Sequence, residues 1–221
     1  IIVPNLPKLV DDVYQISNEK ELYAFAKLVN SYAEPSANAV LTADITVNNN
    51  LLSSLEFDEI GNVTNKDSFE SWDPIGNGID SYKGKFDGQG HTISGLYRDS
   101  NEIGAGLFKQ LGSGGEIKNV GVIDSYFKCY SIIGGVCGVN DGTITGCYNT
   151  GTVSGSDGSL YVGGVCGMNG GTITGCYTNR RDDTYYKSDE EFKNGTVCGL
   201  LNTALKNANS KVLFCQRIGT D

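Results

Sequence analysis

Two stretches of the chain are near-copies of each other: residues 133–149 read IGGVCGVNDGTITGCYN and residues 162–178 read VGGVCGMNGGTITGCYT. The second stretch begins 29 residues after the first, and 13 of the 17 aligned positions are identical. A chain that repeats a unit of this length so closely is built by stacking copies of one supersecondary element. The repeat therefore decides the architecture before any single residue is considered.

Weaker copies of the unit precede the two clear ones, at residues 92–97, 106–108 and 116–120. Each unit holds short runs rich in β-branched residues, separated by GG, DG or NG pairs, which is typical of strands and turns. No long segment with a period of 3.6 residues lies within the repeats, so helical repeats are excluded. We therefore predict an all-β fold, a parallel β-solenoid whose coils stack about 4.8 Å apart.

Equivalent positions of the repeats predict which side chains form the core. Apolar residues that recur at one place in successive coils are expected to point inward and to stack on one another. The alignment gives three such columns: Ile93, Ile117, Ile144 and Ile173; then Leu96, Val120, Cys147 and Cys176; then Phe108, Cys137 and Cys166.

The ends of an open solenoid need covers, because exposed first and last coils promote edge-to-edge association. Residues 19–30 place Leu22, Phe25, Ala26 and Val29 on one helical face, after a capping-box pattern at Asn18 and Glu21. A second capping-box pattern opens at Ser188 and Glu191. We predict one module over residues 1–221, with an N-terminal cap (1–37), β-helix coils (38–187) and a helical C-terminal cover (188–221).

The charge and hydropathy of the chain exclude two classes of partner. Its formal net charge is −9, whereas binding to nucleic acid or to an anionic membrane surface requires a concentrated basic face. Lysines and arginines are scattered, and only Arg180 and Arg181 are adjacent. No apolar run approaches the roughly 20 residues that a membrane helix needs. We predict no nucleic-acid partner and no membrane insertion by this segment.

The chain has seven cysteines, and the spacing of four of them is set by the repeat and not by a metal-binding pattern. Cys137 and Cys166 are 29 residues apart, as are Cys147 and Cys176, and no CxxC pair occurs. Stacked cysteines on adjacent coils can come within disulfide range. The apolar residues at equivalent positions of earlier coils favour reduced, buried thiols instead.

Several phrases of the sequence resemble the GLUG-motif repeats of bacterial surface proteins. They are SWDPIGNGIDSYKGKFDGQGHTISGLY, GLF, EIKNVGVIDSYF and the two copies of GGVCGxNxGTITGCY, with flanks YQISNEKELYAFAKLVN and VLFCQRIGTD. The resemblance covers nearly the whole chain. It implies a right-handed parallel β-helix, a secreted or cell-surface location, an adhesin-like role and a longer parent protein, without implying a defined reaction.

GLUG repeats also accompany the catalytic part of immunoglobulin-cleaving zinc metallopeptidases, and here the sequence departs from that association. The chain has a single histidine and no HExxH motif, so these residues cannot assemble a two-histidine zinc site. It also lacks the DxDxDG loop and the GGxGxD array that bind calcium. We predict no metal and no cofactor.

His91 is the one candidate for acid/base catalysis, because many β-helix enzymes that act on polysaccharides use carboxylates with a basic side chain. Its carboxylate partners would be Asp87, Asp99 and Asp124. The competing interpretation is that Asp87 to His91, DGQGH, is a turn that leads into the next strand. The turn interpretation is favoured because a lone histidine carries little information.

Tyr97, Tyr148 and Tyr177 lie one residue beyond the inward column, so strand alternation predicts that they face outward. Exposed aromatic rings bind sugars or protein partners, but stacked rings also form ladders that stabilise a sheet. We predict a non-catalytic, adhesin-like extracellular or cell-surface module that binds a glycan or a host or matrix protein through these tyrosines. The alternative is a polysaccharide lyase or glycoside hydrolase.

Overall fold

The fold was analysed in a computed structural model that describes residues 3–32, 34–77, 80–156, 160–181 and 183–207. This part of the chain is mostly β, with short strands that run parallel across several sheets and few helices. The helices are α1 (Glu19–Ser31), α2 (Leu51–Ser54), α3 (Asp189–Lys193) and α4 (Thr196–Asn207), besides a 3-10 turn at Lys66–Ser68. None of these helices has the length and hydrophobicity required to span a bilayer.

The strands are short, and most have two to four residues. They are β1 (Lys8–Val10), β2 (Val13–Ile16), β3 (Asn38–Leu41), β4 (Ile45–Thr46), β5 (Lys85–Asp87), β6 (Thr92–Ser94), β7 (Tyr97–Asp99), β8 (Phe108–Leu111), β9 (Glu116–Lys118), β10 (Gly121–Ile123), β11 (Tyr126–Cys129), β12 (Ile132–Gly134), β13 (Cys137–Asn140), β14 (Thr143–Thr145), β15 (Tyr148–Asn149), β16 (Thr152–Gly155), β17 (Tyr161–Gly163), β18 (Cys166–Asn169), β19 (Thr172–Thr174) and β20 (Tyr177–Thr178).

Successive turns of the chain add one strand to each of several sheets. The longest sheet has the order β1-β2-β3-β5-β9-β14-β19, and the others are β4-β6-β10-β15-β20, β7-β11-β16, β8-β13-β18 and β12-β17. Every pairing between these strands is parallel except β1 with β2. Parallel neighbours separated by a whole turn of chain are the pattern of a β-helix-like fold.

The inward columns are confirmed where the repeats are most alike. Ile144 pairs with both Ile117 and Ile173, and Cys137 pairs with both Phe108 and Cys166. All of these side chains are buried except Ile173, which is half-buried because it lies on the last described coil. The core is therefore a stack of equivalent positions.

One predicted alignment is wrong. Ile93 pairs with Val122, 29 residues later, whereas Ile117 pairs with Phe86, 31 residues earlier. Leu96 likewise lies beside Ser125, whose hydroxyl accepts its backbone N–H at 3.0 Å. Both Ile93 and Leu96 are fully buried, so they belong to the core but to a different sheet from the predicted columns. The coil that contains them has two more residues between β5 and β6 than the next coil has between β9 and β10. Because its apolar runs are short and lie between glycines, the sequence permits either alignment.

The predicted N-terminal helix forms and covers the first coil. The Asn18 side chain accepts the Glu21 N–H at 3.1 Å, while the Glu21 carboxylate accepts the Ser17 N–H at 2.7 Å. The predicted apolar face is buried, and the Phe25 ring lies 6.3 Å from that of Phe86 in the first full coil. Strand β2 already pairs with β3, so the long sheet begins before α1.

The predicted C-terminal helices also form, but they pack against one side of the stacked strands. Ser188 and Glu191 make the capping box of α3. Helix α4 buries Val197, Leu201 and Leu205 against Tyr148, with Phe192 of α3 and half-buried Tyr177 in the same cluster. Residues 208–221 of the predicted cover lie outside the described residues.

The outward tyrosines are not exposed as predicted, because other segments lie over them. Tyr148 is 3% exposed beneath α3 and α4, and Tyr97 is 4% exposed beneath the segment that contains α2. Tyr97 also pairs with Tyr126 and not with the column of Tyr148 and Tyr177. The rings of Tyr97 and Tyr126 stack with centroids 5.9 Å apart. The expectation of an open aromatic face is therefore wrong, and the ladder interpretation fits the Tyr97 pair.

We expect Ile144→Asp to lower the free energy of unfolding by more than about 3 kcal/mol, because it places an unpaired charge in the core between two coils. Urea denaturation followed by circular dichroism measures the change. Thr143→Asp is the matched control, since Thr143 is exposed on the same strand, and its effect should stay within about 0.5 kcal/mol. Equal effects of the two substitutions would show that Ile144 does not point inward.

We expect Tyr148→Ala to destabilise the docking of α3 and α4 by about 3 kcal/mol, since a buried aromatic ring is lost. An added Cβ at Gly121 would clash with the Tyr148 ring, so the ring fills the space that this glycine leaves. Hydrogen exchange of the α4 amides measures the loss. Tyr161→Ala, at a residue that is 45% exposed, should leave α4 protected, and similar loss of protection in both variants would contradict the packing.

We expect Cys137, Cys147, Cys166 and Cys176 to resist iodoacetamide at pH 8 in the folded protein and to react fully in guanidinium. All four thiols are buried and form no disulfide. Burial raises the pKa of Cys166 to about 12 and those of Cys137 and Cys147 well above their usual range, which suppresses the reactive thiolate. Mass spectrometry of the labelled peptides provides the readout. Rapid labelling of folded protein, or a Cys137–Cys166 or Cys147–Cys176 bridge, would refute this expectation.

Candidate functional site

His91 is held by a carboxylate that the sequence did not point to. Its Nδ1 lies 3.1 Å from Oδ1 of Asp44, and the same oxygen accepts the Thr92 N–H at 2.9 Å. The His91 side chain is 15% exposed, while that of Asp44 is 57% exposed. Asp44 stands just before β4 and His91 just before β6, and these two strands pair. The pairing of the coils therefore brings the two residues together.

The three aspartates proposed beside His91 lie in separate places. Asp87 ends β5 in the long sheet, where its Oδ1 accepts the Gln89 N–H at 2.8 Å and its Oδ2 lies 3.6 Å from Lys118 Nζ. Asp99 ends β7 in another sheet and is exposed. Burial, followed by the charge of Asp99, raises the pKa of both Tyr97 and Tyr126 to about 12.

Asp124 is a helix-capping residue. Its carboxylate oxygens accept the N–H groups of Leu51 at 2.8 Å and Leu52 at 3.0 Å, which are the first two residues of α2. Backbone N–H groups at the start of a helix have no partner within the helix, so this carboxylate satisfies two of them. The role of Asp124 is to anchor the segment that covers Tyr97 and Tyr126. His91 and Asp124 thus contact different groups, Asp44 in one case and the start of α2 in the other.

A groove beside α1, which the sequence analysis missed, forms a concave surface of the described chain. It consists of two adjoining cavities of about 680 and 690 Å³, which share Asn5, Glu19 and Lys20. We call this feature the α1 groove. The first cavity is further lined by Tyr23, Lys27, Ser31, Val47, Glu70 and Asp73, and the second by Leu6, Ser17, Asn18, Glu21, Asp44, Ile45 and Thr46, among others.

Tyr23 lines the first cavity and packs against the buried Trp72 beneath it. The Tyr23 hydroxyl donates to the Ser71 carbonyl at 3.1 Å, and its ring meets that of Trp72 edge-on at 5.2 Å. Burial, and then the charges of Glu70 and Glu19, raise the pKa of Tyr23. Trp72 is buried, and its Nε1 donates to the Gly106 carbonyl at 3.1 Å. The neutral phenol is thus held in place on a preformed surface.

Hydrogen bonds fix α1 against the chain that forms the other wall. Asn30 Nδ2 donates to the Pro74 carbonyl at 3.0 Å, and Asn30 Oδ1 accepts the Gly76 N–H at 2.9 Å. Behind this wall, Arg98 is 7% exposed and donates to the Trp72 carbonyl at 3.1 Å, and it lies 3.5 Å from Asp73 Oδ1. The buried guanidinium of Arg98 therefore holds the wall that carries Asp73.

Among the residues that the structure describes, the α1 groove presents no group of side chains that could hold a metal ion. Within the ranges that the structure describes, no three histidine, cysteine, aspartate or glutamate side chains come together in that way. Its lining combines an aromatic ring, two lysines, several carboxylates and apolar carbons. Sites of this composition and volume bind polar organic molecules through a few hydrogen bonds. In the sequence, the amphipathic pattern at residues 19–30 was the only feature that pointed to this groove.

Comparisons with known proteins support the fold more than a function. No family model matches the chain. Halomucin from Haloquadratum walsbyi is 34% identical over 149 residues, a match that spans 65% of this chain and 2% of halomucin. A candidate immunoglobulin A1 protease from Bacteroides ovatus has a solved structure that superposes with a TM-score of 0.50 at 20% identity, over 79% of this chain and 60% of that one. This second likeness extends to the fold alone, which is rich in parallel strands like that of a β-helix.

Proposed function

We propose that this chain is a non-catalytic module of an extracellular or cell-surface protein, built as a right-handed parallel β-helix of the GLUG type, which binds a glycan or a protein. The similarity to halomucin, by its name a mucin, supports a place in a large extracellular protein. The net charge of −9 agrees with a solvated surface. The module acts by presenting a rigid site on a repetitive scaffold.

The observation that carries this proposal is the contrast between the α1 groove and the predicted catalytic residues. The groove is preformed, with Tyr23 fixed in its lining and charged residues on both walls. The carboxylate in contact with His91 is Asp44, which was not among the predicted partners, and the predicted partner Asp124 caps a helix. A preformed groove lined by an aromatic ring and polar groups favours recognition of a sugar or peptide, because an aromatic face and a few hydrogen bonds orient such ligands.

A polysaccharide lyase or glycoside hydrolase is the second candidate, and one observation favours it. Asp44, which lines the second cavity, contacts His91, and Glu19 and Glu21 line the same cavity. A histidine paired with a carboxylate beside further carboxylates has the components of an acid/base pair. This alternative predicts that His91→Ala abolishes turnover of a polysaccharide.

The test is a glycan and matrix-protein array probed with the purified chain, run beside a lyase and hydrolase screen. We expect a ligand without turnover, and we expect Lys20→Ala with Lys27→Ala to weaken its binding at least tenfold, because both lysines line the α1 groove. Lys85→Ala is the matched control, since Lys85 is also exposed but lies in β5 and does not line the groove, and it should bind like the wild type.

Two results would overturn the proposal. Binding that is unchanged in the double lysine variant would place the ligand elsewhere on the chain. Turnover of a polysaccharide that His91→Ala abolishes would replace the binding function with the enzymatic one.

A further inference from the structure

The first coil carries an insertion that the next coil does not have. Residues 47–70 lie between β4 and the bridge of Ser71 to Tyr97. In the next coil, only residues 95 and 96 lie between β6, the partner of β4, and β7. The inserted chain packs over the outward side of β7 and β11, where it covers two tyrosines. We call residues 49–69 of this insertion the flap.

The base of the flap is pinned by one side chain. Asn48 Nδ2 donates to the Glu70 carbonyl at 2.9 Å, and Asn48 Oδ1 accepts the Glu70 N–H at 2.9 Å. The same Nδ2 donates to the Gly95 carbonyl at 2.8 Å, which ties the base to the next coil. Asn48 is buried. The two ends of the flap are therefore held together, and any movement of the flap turns about this point.

Beyond its base, the flap is held by few contacts. Three side-chain hydrogen bonds join it to the coils among the described residues. Asp124 accepts two of them from the start of α2, and Lys128 Nζ donates the third to Asn62 Oδ1 at 3.2 Å. The structure describes every residue of the flap, and only Leu51 and Val63 are buried. A segment with so little buried surface opens locally without unfolding of the whole chain.

The flap covers a hydroxyl group that has no partner while the flap is closed. Tyr97 is 4% exposed, and its hydroxyl is buried without a hydrogen bond. The Tyr97 ring packs against Phe69 of the flap, with centroids 5.3 Å apart. An unpaired buried hydroxyl destabilises the closed flap, and contact with water or with a polar ligand removes that penalty. The group beneath the flap therefore favours its opening.

We propose that the flap opens about its base and uncovers Tyr97 and Tyr126 as a second binding surface, which takes a sugar. The two rings come from adjacent coils, with centroids 5.9 Å apart, and neither lines the α1 groove. Asp99 is exposed and lies on the same outward side of β7 as Tyr97. A sugar brings C–H groups to an aromatic ring and hydroxyls to the Tyr97 hydroxyl and the Asp99 carboxylate, whereas a purely apolar ligand leaves the Tyr97 hydroxyl unpaired.

Hydrogen exchange of the Leu51 and Leu52 amides measures the opening, because both donate to Asp124 only in the closed flap. We expect them to exchange at least about a hundredfold faster than the Thr143 amide, which joins two coils through a 3.0 Å hydrogen bond. Low concentrations of urea should not change their rate. Exchange of all three amides at the rate of global unfolding would overturn the proposal.

Tyr97→Phe removes the unpaired hydroxyl, so it should stabilise the closed flap and slow exchange of the Leu51 and Leu52 amides about fivefold to tenfold. Tyr126→Phe is the matched control, because the Tyr126 hydroxyl is not among the buried atoms that lack a partner. Its exchange should match that of the wild type. Equal effects of the two substitutions would contradict the role given to the Tyr97 hydroxyl.

A glycan array probed with an opened variant tests the ligand. Asp124→Gly removes the two hydrogen bonds to α2 without straining the backbone, since Asp124 has a φ of 44°, which glycine adopts freely. We expect it to bind a sugar at least about tenfold more tightly than the wild type, because its binding-competent state is more populated. Tyr97→Ala in the same variant should abolish that binding, and Lys20→Ala with Lys27→Ala should leave it intact, which separates this surface from the α1 groove. An Asp124→Gly variant that binds no sugar, or binds one no more tightly than the wild type, would overturn the proposal.

Discussion

The structure depends on one constraint, which is that each coil must pair in register with the coil before it. A single coil of about 29 residues is too small to bury its own apolar side chains, and its strands of two to four residues are too short to be stable alone. Stacking solves both problems, because the same parallel hydrogen bonds that join two coils also align their inward residues. Ile117, Ile144 and Ile173 are one outcome of that alignment.

The sequence predicted this architecture well where the repeats are nearly identical and less well where they diverge. The columns that end at Cys166 and Ile173 are confirmed, because thirteen shared positions allow one alignment. The earlier coil containing Ile93 was aligned out of place, with Ile93 beside Ile117 when it pairs with Val122, five residues further on. Its apolar residues alternate with turn glycines in a way that satisfies burial in either register, and only the pairing with Val122 resolves the choice.

Strand alternation also predicts the face on which a residue lies, but not what covers that face. Tyr97 and Tyr148 do project away from the stack, yet segments with no repeat signal of their own lie over them. The α1 groove was missed for a related reason. Tyr23 and Ser71 are 48 residues apart, and His91 and Asp44 are 47 apart, so no local motif marks either pair. The contacts that make a site on this fold come from coils and caps meeting in space.

The register of the coils is the central claim, and cross-linking of cysteines on the outer face tests it most directly. Thr143 and Thr172 are exposed and paired, so the double variant Thr143→Cys with Thr172→Cys should link rapidly with a methanethiosulfonate reagent that spans about 5 Å, the spacing of adjacent strands. Thr143→Cys with Thr174→Cys moves one thiol two residues along the strand, and it should link at least tenfold more slowly. Equal rates, or a faster reaction of the second pair, would contradict in-register parallel stacking.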